Sequence, residues 1–211
     1  MVTALLVALL RFAAVASQDD VALTRVQALL TRADAMCGDF DQRKTLVGMQ
    51  RAVRSSGRFC VLADRGVLWM TKLPFASTLR LTRDEITESQ NERVTSRVTV
   101  KEEPGLGVIN DLLLSVLAGD LKRLGASFTV TATVDGATWH ARLVPKDAGM
   151  RRVIGMIDLG GGEFVRQVTI TETAGDQTAI TFAGIGTGRS VLQPDELRAF
   201  GSPARRTPSH Q

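Results

Sequence analysis

Alternation between polar and apolar residues is the feature of this chain that most constrains its fold. Leu79 and Leu81 alternate with polar residues between positions 78 and 82, and the same pattern recurs from 93 to 101. Successive side chains of a β-strand point to opposite faces, so these segments predict strands with one apolar and one polar face. A sheet built from such strands has to bury its apolar face against the rest of the chain.

Short turn sequences separate the predicted strands. Residues 64–66 (Asp-Arg-Gly) and 135–136 (Asp-Gly) are typical of tight turns, and Pro74 cannot donate to a strand ladder and ends the strand before it. No helices alternate regularly with the strands, which favours hairpin connections over parallel crossovers. Later strands are predicted at 152–158, 163–173 and 177–183, with turns at 160–162 and 175–176.

Two longer segments have the period of a helix. Residues 21–35 follow two aspartates and carry an apolar stripe, and a leucine-rich segment runs from a cap at Asn110 or Asp111 to Leu124, before Gly125. A short helix is expected at 194–200. The sequence therefore predicts an α+β fold, a single large curved antiparallel sheet covered by helices on its concave face.

The ends of the chain differ from its middle in composition. The first residues are nearly all apolar and finish in Ala14-Val15-Ala16, the small-x-small pattern of a secretory signal, although Arg11 interrupts the run. An amphipathic N-terminal helix is the alternative. We expect a signal peptide at 1–18, one domain at 19–200, and a disordered polar tail at 201–211.

Cys37 and Cys60 are the only two cysteines of the chain. In an exported protein such a pair suggests a disulfide. If the first two strands turn near Arg54, however, Cys60 lies opposite Val47, too far along the sheet from Cys37 for a bond. A bridge then requires an asymmetric loop or a bend after Cys37, so the pairing stays open.

The chain offers few residues for catalysis or metal binding. His140 is the only histidine outside the tail and lies on the polar face of a predicted strand, and the two cysteines lack zinc-ligand spacing. Neither a GxSxG elbow nor a complete phosphate-binding loop is present. The carboxylates in connecting segments, Glu85, Glu88, Glu102 and Glu103, have the pattern of solvated loop charge.

Net charge gives no reason to expect a nucleic-acid partner. The formal charge of +4 comes from 26 basic and 22 acidic residues, which are scattered along the chain. Nucleic-acid binding favours a clustered basic face interleaved with stacking aromatics. We therefore predict a protein that binds no nucleic acid, and the few chemical groups described above favour neither catalysis nor a metal site.

Apolar residues remain as the main candidates for function. Pockets for ligands are concave and mostly apolar, but so is a filled core, and periodicity does not distinguish the two. The residues predicted to line the concave face, and to bind a lipid if the family resemblance described next holds, are Phe59, Val61, Trp69, Phe75, Leu79, Leu81, Leu113, Val116, Leu117, Leu121, Phe128, Val130 and Trp139.

Several short motifs, in consistent order, resemble the LolA-like outer-membrane lipoprotein carrier family. They are Phe40-x-Gln42, the Ser-Ser-Gly turn at 55–57, Gly66-Val67-Leu68-Trp69, and Pro74-Phe75. The mid-chain leucine helix, the strand of Trp139 and the strand at 177–182 fall where the family has its inserted helix and late strands. The resemblance covers most of residues 20–185.

This resemblance implies a monomeric periplasmic protein that shelters acyl chains and has no catalysis or cofactor. Its incomplete β-barrel would be closed by helices, and it would receive its cargo from an inner-membrane donor complex and pass it to an outer-membrane acceptor. The family often has an arginine just before the proline that follows the tryptophan. Lys72 stands in that neighbourhood here, as a possible lid contact, which suggests a cargo other than lipoprotein acyl chains.

Two functions follow from these expectations. The first is a periplasmic carrier that moves a lipoprotein or lipid between the inner and outer membranes. The alternative is a periplasmic protein-binding regulatory or scaffold module of the same fold, whose interior is filled. The sequence leaves the cargo, the partners, the cleavage site and the choice between cavity and filled core open.

Overall fold

A computed structural model describes residues 18–91, 93–99, 114–115 and 121–201. Within these ranges the strands form one antiparallel sheet of 11 strands, in the order β6-β5-β4-β3-β2-β1-β11-β10-β9-β8-β7. The strands are β1 Ala35–Thr45, β2 Val53–Leu62, β3 Gly66–Leu73, β4 Ser77–Leu81, β5 Glu85–Gln90, β6 Arg93–Thr99, β7 Phe128–Asp135, β8 Thr138–Pro145, β9 Ile154–Gly161, β10 Val165–Glu172 and β11 Gln177–Thr187. The helices are α1 Gln18–Leu29, α2 Ala148–Arg151 and α3 Pro194–Ala199.

The first and last strands meet in the middle of the sheet. β1 pairs with both β2 and β11, and all other neighbours are consecutive along the chain. The two edges are therefore β6 and β7, which follow each other in sequence but do not pair. This single, unclosed antiparallel sheet confirms the predicted fold class.

The sheet is strongly curved. Trp69 on β3 and Phe182 on β11 are separated by β2 and β1, which on a flat sheet places them three strand spacings, roughly 14 Å, apart. Their ring centroids nevertheless lie 6.0 Å apart. The rings therefore stand on a concave face, as expected when a wide, twisted sheet curls.

Two apolar clusters lie on the two faces of this sheet. The concave cluster contains 23 buried residues, among them Phe59, Phe128 and Trp139, and extends from β4 to β7. The smaller convex cluster joins β1, β2 and β3 to residues near the C-terminus: Ala35, Cys37, Cys60, Leu62, Leu68, Leu192 and Phe200. Both faces of β1–β3 are therefore buried.

Helix α1 is shorter than the sequence predicts and lies earlier. It ends at Leu29, whereas the prediction extended it to Ala35. Ala35 is instead the first residue of β1 and pairs with Leu62, so tertiary pairing overrides the local helical period there. The helix packs against β7, and its Val26, together with Leu30 just after its end, is buried in the concave cluster. That helices cover the whole concave face stays a prediction.

The predicted register between β1 and β2 is wrong. The two strands are joined by residues 46–52 and not by a turn near Arg54, and Cys37 lies directly opposite Cys60. The two sulfur atoms form a disulfide, with the Cα atoms 4.1 Å apart. Val53 and Arg54, which the prediction put in the turn, are strand residues that pair with Lys44 and Arg43.

The mid-chain helix is confirmed only in part. Leu114 and Ser115 are helical, but Leu121–Ala126 is a 3₁₀ segment, so the predicted α-helix does not run to Leu124, and Gly125 lies inside the segment. The backbone N–H of Leu121 donates to Oε1 of Gln27 at 3.1 Å, which ties the segment to α1. The predicted sites Leu113, Val116 and Leu117 lie outside the described residues.

The late strands are also displaced from their predicted bounds. β9 continues through Gly160 and Gly161, which the prediction placed in a turn, because both pair with β10 and β8. β11 runs four residues beyond 183, where it pairs with β1 across a bulge. The turns at 64–66, 135–136 and 175–176 and the short C-terminal helix are confirmed. None of the described helices has the length and apolarity needed to span a membrane.

A C-terminal strap, residues 189–200, crosses the convex face. It consists of the 3₁₀ turn Arg189–Val191 and helix α3, which begins at a Gln193–Glu196 capping box. The buried carboxylate of Glu196 accepts from Nε of Arg58 on β2 at 2.6 Å. The strap therefore fixes the chain end over the disulfide-linked pair of strands.

Candidate functional site

The concave cluster has an aromatic group at its centre, built from four strands. Phe40 of β1 stacks on Trp69 of β3 with ring centroids 3.9 Å apart, and Phe59 of β2 meets Phe182 of β11 edge to face at 5.0 Å. Such offset and edge-to-face pairs add about 0.5–1.5 kcal/mol to the burial of the rings. These four packed rings form the apolar centre of the concave face.

Two glycines allow close approaches in this part of the sheet. A Cβ on Gly38, which pairs with Phe59, would come within 2.9 Å of both Cε1 of Phe59 and the carbonyl oxygen of Ala183. A Cβ on Gly57, opposite Phe40, would lie 2.0 Å from the carbonyl oxygen of Met70. Gly38 therefore leaves room for a ring of the aromatic group, and Gly57 leaves room for the backbone of β3.

The structure brings nine of the predicted lipid-binding residues together in the concave cluster. Six of them are buried, and the other three are partly buried and pack against those six. The buried residues are Phe59, Val61, Leu81, Leu121, Phe128 and Trp139, and the partly buried ones are Trp69, Leu79 and Val130. The alternation of apolar residues along the strands identified eight of them, and Leu121 was predicted from the leucine-rich helical segment.

Two predicted residues lie elsewhere. Phe75 is in the turn between β3 and β4, 82% exposed, and does not belong to the concave cluster. Lys72, near the end of β3, is exposed as well. Neither side chain is brought to the apolar face by this structure, because both lie where the strand leaves the sheet.

Other members of the cluster were not predicted as site residues. Phe40 and Phe182 contribute two of the four central rings, and Ile157, Leu159 and Val168 fill the face of β9 and β10. The same alternation marks all five positions. The pairing of β1 with β11, which places Phe40 opposite Phe182, joins strands some 140 residues apart and has no local sequence signal.

The concave cluster combines buried and partly exposed residues on both of its sides. On the β7–β9 side, Phe128 and Trp139 are at most 1% exposed, and Nε1 of Trp139 donates to the carbonyl oxygen of Gly162 at 2.8 Å. On the β3–β4 side, Trp69 and Leu79 keep part of their surface exposed. Val130 and Val134 of β7 are partly exposed as well, so apolar surface remains accessible on both sides of the cluster.

The polar side chains described on the convex face have structural and not chemical roles. His140 is exposed and lies over Gly160. The pKa of the Arg142 guanidinium is raised above its ordinary value, chiefly because its Nε donates a hydrogen bond to Oδ1 of Asp158. In the described part of the chain, the one group of three metal-type side chains is Cys37, Cys60 and Glu196. Both of its sulfur atoms are bonded to each other, so the group has no thiolate to offer a metal.

Comparison with known proteins places the chain in a family. A family model described as "Outer membrane lipoprotein carrier protein LolA-like" matches residues 13–199. No curated protein gives a significant match to the chain.

Solved structures give distant likenesses. A LolA superfamily protein from Nitrosomonas europaea is 8% identical, with a TM-score of 0.46 over 86% of this chain and 97% of that chain. A domain described as outer membrane lipoprotein-sorting, from Vibrio parahaemolyticus, is 10% identical, with a TM-score of 0.49 and the same coverage. The MucA/MucB complex of Pseudomonas aeruginosa is 14% identical, with a TM-score of 0.39 over 83% of this chain and 59% of that chain. The assignment to a family rests on the family match alone.

Proposed function

Because the chain belongs to the LolA-like outer membrane lipoprotein carrier family, we propose that it is a periplasmic carrier of lipoprotein acyl chains or of another lipid. Residues 1–18 would direct export and be removed, residues 19–200 would form the carrier domain, and 201–211 would be a disordered tail. The carrier would work as a monomer between an inner-membrane donor complex and an outer-membrane acceptor. It would have no catalytic role and need no cofactor.

The partly exposed edge of the concave cluster is the observation that carries this proposal. Trp69 and Leu79 offer an apolar surface at the β3–β4 side. This surface is continuous with the other rings of the aromatic group, because Trp69 stacks on Phe40. Burial of an acyl chain is favourable because each CH₂ contributes about 0.8 kcal/mol. An acyl chain bound there would lie along Trp69 and Leu79 and then extend towards Phe59 and Leu81.

Deeper entry would require helix α1 to move. Val26 of α1 and Leu30 just after it are buried among the same residues that a longer acyl chain would contact on β7 and β8, including Phe128, Val130 and Trp139. Displacing the helix exposes both its own stripe and the strand face. Cargo and helix would thus compete for one apolar surface, and a partner would have to drive release of the cargo.

Complete enclosure of the deepest side chains supports a second candidate. Phe59, Phe128 and Trp139 are at most 1% exposed, as expected if the interior is an ordinary filled core. On that reading the protein is a periplasmic regulatory or scaffold module that binds another protein. The partly exposed Trp69 and Leu79 favour the carrier.

Testing whether the purified protein retains or takes up a lipid distinguishes the two candidate functions. The full chain is purified from the periplasm without detergent, its organic extract is analysed by mass spectrometry, and the delipidated protein is titrated with a fluorescent fatty acid. The carrier proposal predicts a co-purifying lipid or saturable uptake of the probe. A protein that is free of lipid and takes up no probe would favour the protein-binding module.

A further inference from the structure

Exposed apolar side chains are concentrated at one end of the sheet. The loops at residues 46–52, 74–76, 146–153 and 173–176 all lie at this end, which we call the β1–β2 rim. Of ten exposed large hydrophobic residues in the described ranges, six lie in these loops or directly beside them. These six are Val47, Met49, Val53, Leu73, Phe75 and Val153.

The opposite end of the sheet has a different surface. Its turns are at 63–65, 82–84, 136–137 and 162–164, and none of the exposed large hydrophobics in the described chain lies in them. Val21 and Leu197, which are also exposed, stand on α1 and α3. Scattered surface hydrophobics need no explanation, but a concentration at one end indicates an interaction surface.

The β1–β2 rim is also basic. Arg51, Lys72 and Arg152 are exposed there, and the described residues provide no ion-pair partner for any of them. Among the acidic side chains at this end, Glu172 pairs with Lys44 at 2.9 Å, and Asp147 and Asp176 accept from the backbone N–H groups of Met150 and Val47. Lys146 and Arg151 lie in the same loop as Arg152, so basic side chains outnumber acidic ones at this end.

We propose that the β1–β2 rim docks on the surface of a bilayer that contains anionic lipids. Apolar tips flanked by unpaired lysine and arginine are the pattern of interfacial binding, in which apolar side chains enter the headgroup boundary and cations meet anionic lipid. The tips come from separate loops at one end, so they can enter a planar surface together. Phe75 has the most exposed side chain of the six, at 82%, and is the main anchor.

This docking goes beyond the carrier function and is measured without cargo. The full chain is sedimented with vesicles of phosphatidylethanolamine and phosphatidylglycerol, and with vesicles of phosphatidylcholine alone. Phe75→Ser is compared with Leu197→Ser, an exposed apolar side chain away from the rim, and Lys72→Gln is compared with Arg83→Gln, an exposed cation at the opposite end. All four positions are exposed, so the variants should keep the fold, which circular dichroism checks.

We expect binding to the anionic vesicles that weakens about tenfold in Phe75→Ser and about fivefold in Lys72→Gln. Leu197→Ser and Arg83→Gln should bind like the unchanged protein, and added salt should weaken all binding. The proposal is overturned if the protein binds neither kind of vesicle, binds both equally, or loses as much binding in the control variants. Absence of vesicle binding together with uptake of a fatty acid would leave the carrier and remove the docking surface.

Discussion

Gly38 and Phe59 lie directly opposite each other on β1 and β2, and the ring of Phe59 occupies the space that a side chain on Gly38 would need. The ring is 1% exposed and meets Phe182 edge to face. The position of the central aromatic group therefore depends on a residue that has no side chain. This relationship explains why a glycine lies among the buried residues of β1.

Replacing Gly38 with alanine should destabilise the protein by about 1–3 kcal/mol, as for other overpacked cores. The new Cβ would come within 2.9 Å of Cε1 of Phe59 and of the carbonyl oxygen of Ala183, and the backbone atom cannot yield easily. Urea denaturation measures the change. Gly125→Ala is the control, since a Cβ there meets no atom within 4 Å, and an equal loss in both variants would contradict the argument.

Removal of the Glu196 carboxylate should loosen the C-terminal strap. Glu196→Ala deprives Nε of Arg58 of its partner, and also removes the acceptor for the backbone N–H of Gln193. The side chain is 3% exposed and that of Arg58 is 22% exposed, so we expect a loss of about 2 kcal/mol.

Thermal unfolding and limited proteolysis of the strap would measure this effect. Asp195→Ala is the matched control, because Asp195 lies in the same helical turn but is exposed. If the Asp195 variant were equally destabilised, the contribution would belong to the helix terminus and not to the pair with Arg58.

Reduction of the disulfide should lower the free energy of unfolding by about 3 kcal/mol, the value expected from loop closure for a bond across 23 residues. Unfolding by urea with and without dithiothreitol measures this difference. The double variant Cys37→Ala, Cys60→Ala should be less stable and insensitive to the reductant. An unchanged midpoint on reduction would show that strand pairing alone holds β1 against β2.

Local patterns in the sequence were enough to predict much of the sheet. The alternation at Leu79 and Leu81 and the turn at 135–136 each identified a strand or hairpin that the structure contains, since both signals depend on near neighbours. The same alternation identified eight residues of the concave cluster, and the leucine-rich segment identified Leu121. Family resemblance added the order of the elements and is confirmed by the family match.

Features that depend on distant parts of the chain were not predicted correctly. The register of β1 and β2 depends on a loop of seven residues, 46–52, that has no tight-turn signature. The sequence alone therefore did not decide whether Cys37 and Cys60 form a disulfide. Ala35 has a helical pattern around it, but its pairing with Leu62 places it in a strand. Phe75 is apolar and was assigned to the lipid site, yet the turn that contains it points away from the cluster.

The central claim, that the concave cluster receives an acyl chain at the β3–β4 side, is tested most directly by the affinity for a fluorescent fatty acid. Leu79→Gln places a polar amide on the concave face, and Met70→Gln is its matched control, because Met70 is also partly buried but packs in the convex cluster. The account predicts saturable binding that weakens about tenfold in Leu79→Gln and stays unchanged in Met70→Gln, with similar urea midpoints for both. Equal affinity in the two variants, or no binding by the unchanged protein, would contradict it.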